Sequence, residues 1–177
     1  MLKKTFLTLV ITITILSSLS IVKIDEETHK FEITKVIHNT RIEKEEEPIG
    51  KIVISKINLE RNLYSKDSTK NNIAENITIL KESTDPKEEN SILFIAAHSG
   101  TSNVSFFEDL DELELHDEVQ IDYQNNTYIY TINKIEEQPK TGYISGVKEN
   151  KRQLVLTTCC PHKENCQLLI NAIEKES

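Results

Sequence analysis

The sequence predicts an all-β domain, an antiparallel barrel or sandwich, behind an N-terminal membrane anchor. Three observations carry that reading. From Pro48 onward, short runs rich in β-branched and aromatic residues are separated by turn residues. Two such runs flank Gln124-Asn125-Asn126 and read as a hairpin. The stretch from Thr5 to Val22 contains no charged residue, while Lys3 and Lys4 precede it and Lys23 follows.

The uncharged stretch would make a helix of roughly 27 Å, close to the ~30 Å hydrocarbon thickness of a bilayer. Its polar residues are all hydroxyls, which bond back to helix carbonyls at little cost. Ser18 and Ser20 keep a cleaved signal peptide open, but no Ala-x-Ala site is present and the length fits an uncleaved anchor better. Lys3 and Lys4 place the tip in the cytoplasm and the bulk of the chain outside, as a single-pass protein of the cell membrane. Residues 1–24 are therefore the anchor. Residues 25–47 are charge-rich and poor in apolar residues, which predicts an extracytoplasmic stalk. Residues 48–177 form the folded domain.

Within that domain Ile49 to Ile57 is β-branched and alternates imperfectly, as a strand does. Ser91 to Ala97 is almost wholly apolar and predicts a strand buried on both faces. Phe106 to Leu115 carries Phe106, Phe107, Leu110 and Leu113 between acids, the pattern of a short amphipathic helix or helical turn. Glu118–Tyr123 and Thr127–Ile132 alternate as the hairpin strands, and Gln153–Thr158 and Gln167–Ile173 read as two more.

Composition excludes several classes. With 29 acidic against 21 basic residues the net charge is −8, which is wrong for a protein that grips nucleic-acid phosphates. Four Gly and four Pro exclude collagen-like or Pro/Gly-rich disorder. Three Cys cannot all pair within one chain, so this is no disulfide-scaffold miniprotein.

Two reactive side chains stand at the ends of apolar strands. His98 follows Ile92–Ala97, and Cys159 closes Leu154-Val155-Leu156-Thr157-Thr158. A thiol must lose its proton to attack a carbonyl, and a nearby imidazole serves that need and later protonates a leaving amine. Cys159 and His98 are thus a candidate nucleophile and acid/base pair, against the simpler readings of a buried thiol and a turn histidine. Cys160 is a rival nucleophile, but strand alternation turns it to the opposite face. Cys159, Cys160, His162 and Cys166 could form a soft-metal set, yet their spacing matches no common zinc pattern, and no metal site is assigned. Free thiols are expected at Cys160 and Cys166, with a disulfide between them as the alternative. The acids from Glu108 to Glu118 read as a solvated face, with a calcium site as the alternative. No cofactor is otherwise expected. His29, His38, His116 and His162 read as surface residues.

Leu154-Val155-Leu156-Thr157-Thr158-Cys159 resembles the strand-end Thr-Leu-x-Thr-Cys motif of the sortase family. Phe94-Ile95-Ala96-Ala97-His98 resembles its Leu-x-Gly-His strand end, and Phe107 to Val119 its F-x-x-L…G-D-x-V stretch. Gly50 to Ile57 resembles its opening G-x-I-x-I-P-K-I strand. The four stand in the family's order. The resemblance implies an eight-stranded β-barrel with short helices on the outer face of a Gram-positive membrane. It also implies a cysteine transpeptidase that cleaves the C-terminal sorting signal of a secreted protein through a thioester on Cys159. An amine of cell-wall precursor or pilin then takes the acyl group. Val155, Ala97 and Ser55 depart mildly from the motifs. A larger departure is that no Arg follows Cys159, where the family places one on the next strand; Gln167 takes that position, an amide donor without charge. Two other classes remain open: a sortase-fold peptide-binding protein without efficient catalysis, and an extracytoplasmic thiol or metal module.

Overall fold

Gly50–Ile54 forms β1, and a 3-10 turn at Ser55–Ile57 ends it before β2, Leu59–Leu63, folds back. Asn58 takes the left-handed conformation that this reversal requires (φ 52°). Gly50 is needed because a Cβ there would lie 2.3 Å from the Asp122 carbonyl oxygen of the neighbouring strand. The remaining strands are β3, Thr78–Ile79; β4, Ile92–Ala96; β5, Glu118–Tyr123; β6, Asn126–Pro139; β7, Gln153–Cys159; and β8, Cys166–Glu174. This computed structural model describes residues 46–144 and 150–175. The expected anchor, and the stalk up to residue 45, lie outside the described residues; among the described residues no helix is long and apolar enough to cross a membrane.

The eight strands form one sheet in the order β2-β1-β5-β6-β8-β7-β4-β3, curled into a nearly closed barrel. The expected hairpin is β5–β6. Tyr123 pairs with Asn126, and Gln124 and Asn125 both have positive φ, 46° and 68°. That is the twist a two-residue hairpin needs, so Asn126 begins the strand instead of lying in the turn. Strand β6 is far longer than its alternating stretch, because a bulge between Ile132 and Lys134 bends it and lets it continue along β8 to Pro139.

One pairing corrects the antiparallel reading. Strands β4 and β7 run parallel, with Phe94 beside Val155 and Ala96 beside Thr157. The connection between them passes through the β5–β6 hairpin, which leaves room for a parallel return. The stretch from Phe106 to Leu115 is a series of turns with a short 3-10 segment at Leu110–Glu112, so the helical-turn form of that expectation holds.

Ile52, Ile54, Ile95, Phe107, Val119, Ile121, Tyr130, Leu154, Leu156 and Ile170 meet inside the barrel. Alternation turns Phe94, Val155 and Leu169 to the outer face, where Leu80, Ile92 and Ile144 pack on them. Strands β4 and β7 are therefore apolar on both faces, and this is why their sequences lack a polar period.

Candidate active site

Strand β7 delivers Cys159 to the end of the outer apolar face, since Val155, Thr157 and Cys159 share one side of the strand. Cys159 is a free, half-buried thiol. Its neighbour Cys160 points inward and is buried. The backbone next to β7 fixes the start of the His98 loop. Ala97 N–H donates to Thr157 O at 3.3 Å, and Thr158 Oγ1 donates to Ala97 O at 2.8 Å. His98 follows at once and is exposed; its carbonyl accepts the N–H of Phe107, whose fully buried ring anchors the loop. Cys159 and His98 thus emerge at the same end of two adjacent parallel strands. The β4–β7 pairing, which the sequence did not reveal, sets these two strand ends side by side.

Gln167 stands directly opposite Cys159 in the β7–β8 register, so both side chains face the same way. Its amide donates to Thr157 Oγ1 at 2.7 Å, and that hydroxyl donates to Leu168 O at 3.1 Å. One of the two amide protons is thereby committed.

The expectation of free thiols at Cys160 and Cys166 is corrected: they form a disulfide. The β7–β8 pairing sets their Cα atoms 5.3 Å apart, within the range a disulfide spans, and Cys160 N–H donates to Cys166 O at 3.1 Å. The bond removes Cys160 as a rival nucleophile. Glu137, Cys160 and Cys166 place ligand atoms within 4.8 Å of one another, but sulfurs bonded to each other offer no thiolate to a metal.

Sequence reading missed Lys140. It follows β6 immediately, and its Nζ lies 3.1 Å from Cys159 Sγ. Its own N–H donates to Asn165 O at 2.8 Å, one residue before the disulfide's Cys166. Nothing local marks this lysine, because its approach depends on β6 running past its bulge to pair Pro139 with Cys166.

Beside the parallel strands lies a cleft of about 230 Å³ lined by Leu80, Glu82, Phe94, Gly142, Tyr143 and Ile144. Tyr143 is 83% exposed, and Gln138 Nε2 donates to its carbonyl at 3.0 Å. On the acidic stretch, Lys56 Nζ sits 2.8 Å from both Glu114 Oε2 and Asp117 Oδ2. Burial opposes ionisation of Asp117, but the Lys56 ammonium and the Glu114 N–H outweigh it and hold the carboxyl below its ordinary range.

A sortase-domain family model matches residues 52–173, which spans every strand except the first residues of β1 and the last of β8. The chain belongs to the sortase family. Sortases are cysteine transpeptidases that act on proteins carrying sorting signals, pilins among them. Among solved structures, the chain is similar to sortase C1 from Streptococcus agalactiae, at 27% identity and a TM-score of 0.63, over 77% of this chain and 71% of that one. A lid mutant of sortase A from Corynebacterium diphtheriae matches at 23% identity and 0.63, over 77% and 75% of the two chains. Sortase C from Streptococcus pneumoniae, described in terms of catalysis and pilin substrate specificity, matches at 22% and 0.65, over 76% and 72%. No curated protein matches in sequence.

Proposed function

We propose that this sortase is a membrane-anchored transpeptidase with Cys159 as nucleophile and His98 as acid/base. The observation that carries the proposal is the delivery of a free thiol and an imidazole to one end of the β4–β7 pair. The Cys159 thiolate attacks the carbonyl carbon of the scissile peptide bond in a sorting signal. The S–C bond forms, the C–N bond breaks, and the leaving amine takes a proton from the His98 imidazolium. An acceptor amine, from cell-wall precursor or a pilin lysine, then attacks the thioester. The new C–N bond forms, the thiolate departs, and His98 takes the proton that the amine loses. The Gln167 amide, opposite Cys159 on β8, is the neutral donor assigned to the developing oxyanion, in the place of the family's Arg. The anchor at residues 1–24 holds the domain outside the cell membrane, where secreted substrates pass.

Gln167 also favours a second reading, a sortase-fold domain that binds peptides without turning them over. Incubation with sorting-signal peptides and a primary amine separates the two. The proposal expects a transfer product whose formation requires Cys159, whereas saturable peptide binding with no product supports the binding domain.

A further inference from the structure

We infer that Lys140 is a catalytic residue that supplies the positive charge at the Cys159 sulfur, a charge no Arg after Cys159 provides in this chain. The inference rests on Cys159 being the nucleophile. Lys140 Nζ lies 3.1 Å from Cys159 Sγ, and among the described residues no carboxylate forms an ion pair with it. Other cations on or next to β6, β7 and the β7–β8 loop are engaged in ion pairs. Lys163 pairs with Glu137, Lys134 with Glu136, and Arg152 with Glu174 at the far end of β7.

The placement of Lys140 is built into the fold. Cys159, Gln167 and Gln138 form one row across β7, β8 and β6. Lys140 is two residues beyond Gln138, so alternation sends its side chain over the same face, and its stem is long enough to reach across β8. The main chain is held there by the bond from Lys140 N–H to Asn165 O, and Asn165 precedes Cys166, which is bonded to Cys160. The disulfide therefore ties the support of Lys140 to the residue next to the nucleophile.

The chemistry follows from charge. A sulfur that attacks as a thiolate carries negative charge before the thioester forms and again when the acceptor amine displaces it. An ammonium at hydrogen-bond distance stabilises the sulfur at both moments while keeping its own protons. Gln167 addresses a different atom, the carbonyl oxygen. Lys140 and Gln167 thus divide between them what a single arginine could do: a charge for sulfur and a donor for oxygen.

Alkylation of Cys159 in the full chain tests this without any sorting peptide. The rates with anionic iodoacetate and neutral iodoacetamide are measured by intact mass, with Cys160–Cys166 left oxidised. A cation beside the sulfur favours the anionic reagent, so Lys140→Met should lower the iodoacetate-to-iodoacetamide ratio about fivefold, the effect of one nearby charge in a solvated site. Lys140→Gln should behave the same, and Lys140→Arg should keep the native ratio. In the transfer assay, kcat should fall in the neutral variants and recover in Lys140→Arg. An unchanged ratio in both neutral variants would overturn the inference, as would a loss in Lys140→Arg equal to that in Lys140→Met. If no peptide is ever transferred but the ratio behaves as expected, the charge at sulfur stands and the transpeptidase reading falls.

Discussion

Reduction of the Cys160–Cys166 disulfide should weaken the domain without unfolding it. The bond joins residues 6 apart in sequence. For so short a loop the chain-entropy relation gives about 2.2 kcal/mol of stabilisation at 25 °C, through the states it removes from the unfolded chain. The folded loop has other ties: Cys160 N–H to Cys166 O, and the pairing of Cys159 with Gln167. The reduced protein should therefore keep its strands, and the loss should show as a fall in melting temperature of about 6–10 °C. The measurement belongs in a Cys159→Ala background, since the free thiol next door would otherwise exchange with the disulfide. Oxidised and dithiol-reduced samples are melted and followed by far-UV circular dichroism, because the chain has no Trp. Coincident midpoints would refute the reasoning. So would uptake of two alkyl groups by the unreduced variant.

Three further outcomes follow. His98→Ala should lower the transfer rate by about 10²–10⁴, the usual range for loss of a general acid/base, while leaving Cys159 alkylable; an unchanged rate removes His98 from the mechanism. Gln167→Arg should speed thioester formation about tenfold, because a charged donor stabilises the oxyanion more than an amide, whereas Gln167→Ala should slow it; single-turnover rates on one peptide decide this. Tyr130 is fully buried and its hydroxyl has no hydrogen-bond partner among the described residues. Burial, followed by the nearby Glu174 charge, pushes its phenol well above the ordinary value of 10. The unfolded chain then ionises first. Stability from this group is complete below pH 10 and is lost as pH rises beyond it, at about 1.4 kcal/mol per pH unit. Tyr130→Phe should flatten that alkaline decline and cost nothing at neutral pH; identical slopes in urea titrations at pH 9 to 11 would contradict it.

Much of this fold is legible in the sequence where burial imposes a pattern. β4 and β7 announce themselves as apolar runs because the barrel covers one face and Leu80, Ile92 and Ile144 the other. β5 alternates over its whole length, and the hairpin turn carries Asn125, a residue that tolerates positive φ. β2 is hidden because three of its five residues, Glu60, Arg61 and Asn62, are exposed at the sheet edge. β3 has only two residues, too few to show a period. The direction of β4 against β7 leaves no trace in either strand, since alternation is the same for parallel and antiparallel neighbours.

The site divides the same way. Cys159 and His98 are visible because reactive side chains end apolar strands. Gln167 is singled out by its place on the strand after Cys159, and the β7–β8 register sets it opposite that residue. The disulfide and Lys140 are not visible, for both depend on which strands become neighbours. Cys160 and Cys166 meet only through the β7–β8 pairing. Lys140 arrives only because the bulged β6 carries it to the edge of the thiol.

The central claim is that Cys159 becomes an acyl thioester. The full chain is incubated with a sorting-signal peptide, quenched in acid, digested and examined by mass spectrometry. The account predicts an acyl group on the Cys159 peptide. That group should disappear with hydroxylamine, fail to form in Cys159→Ala and pass to an added primary amine. An adduct on another residue, or no adduct while the same peptide binds saturably, would contradict it.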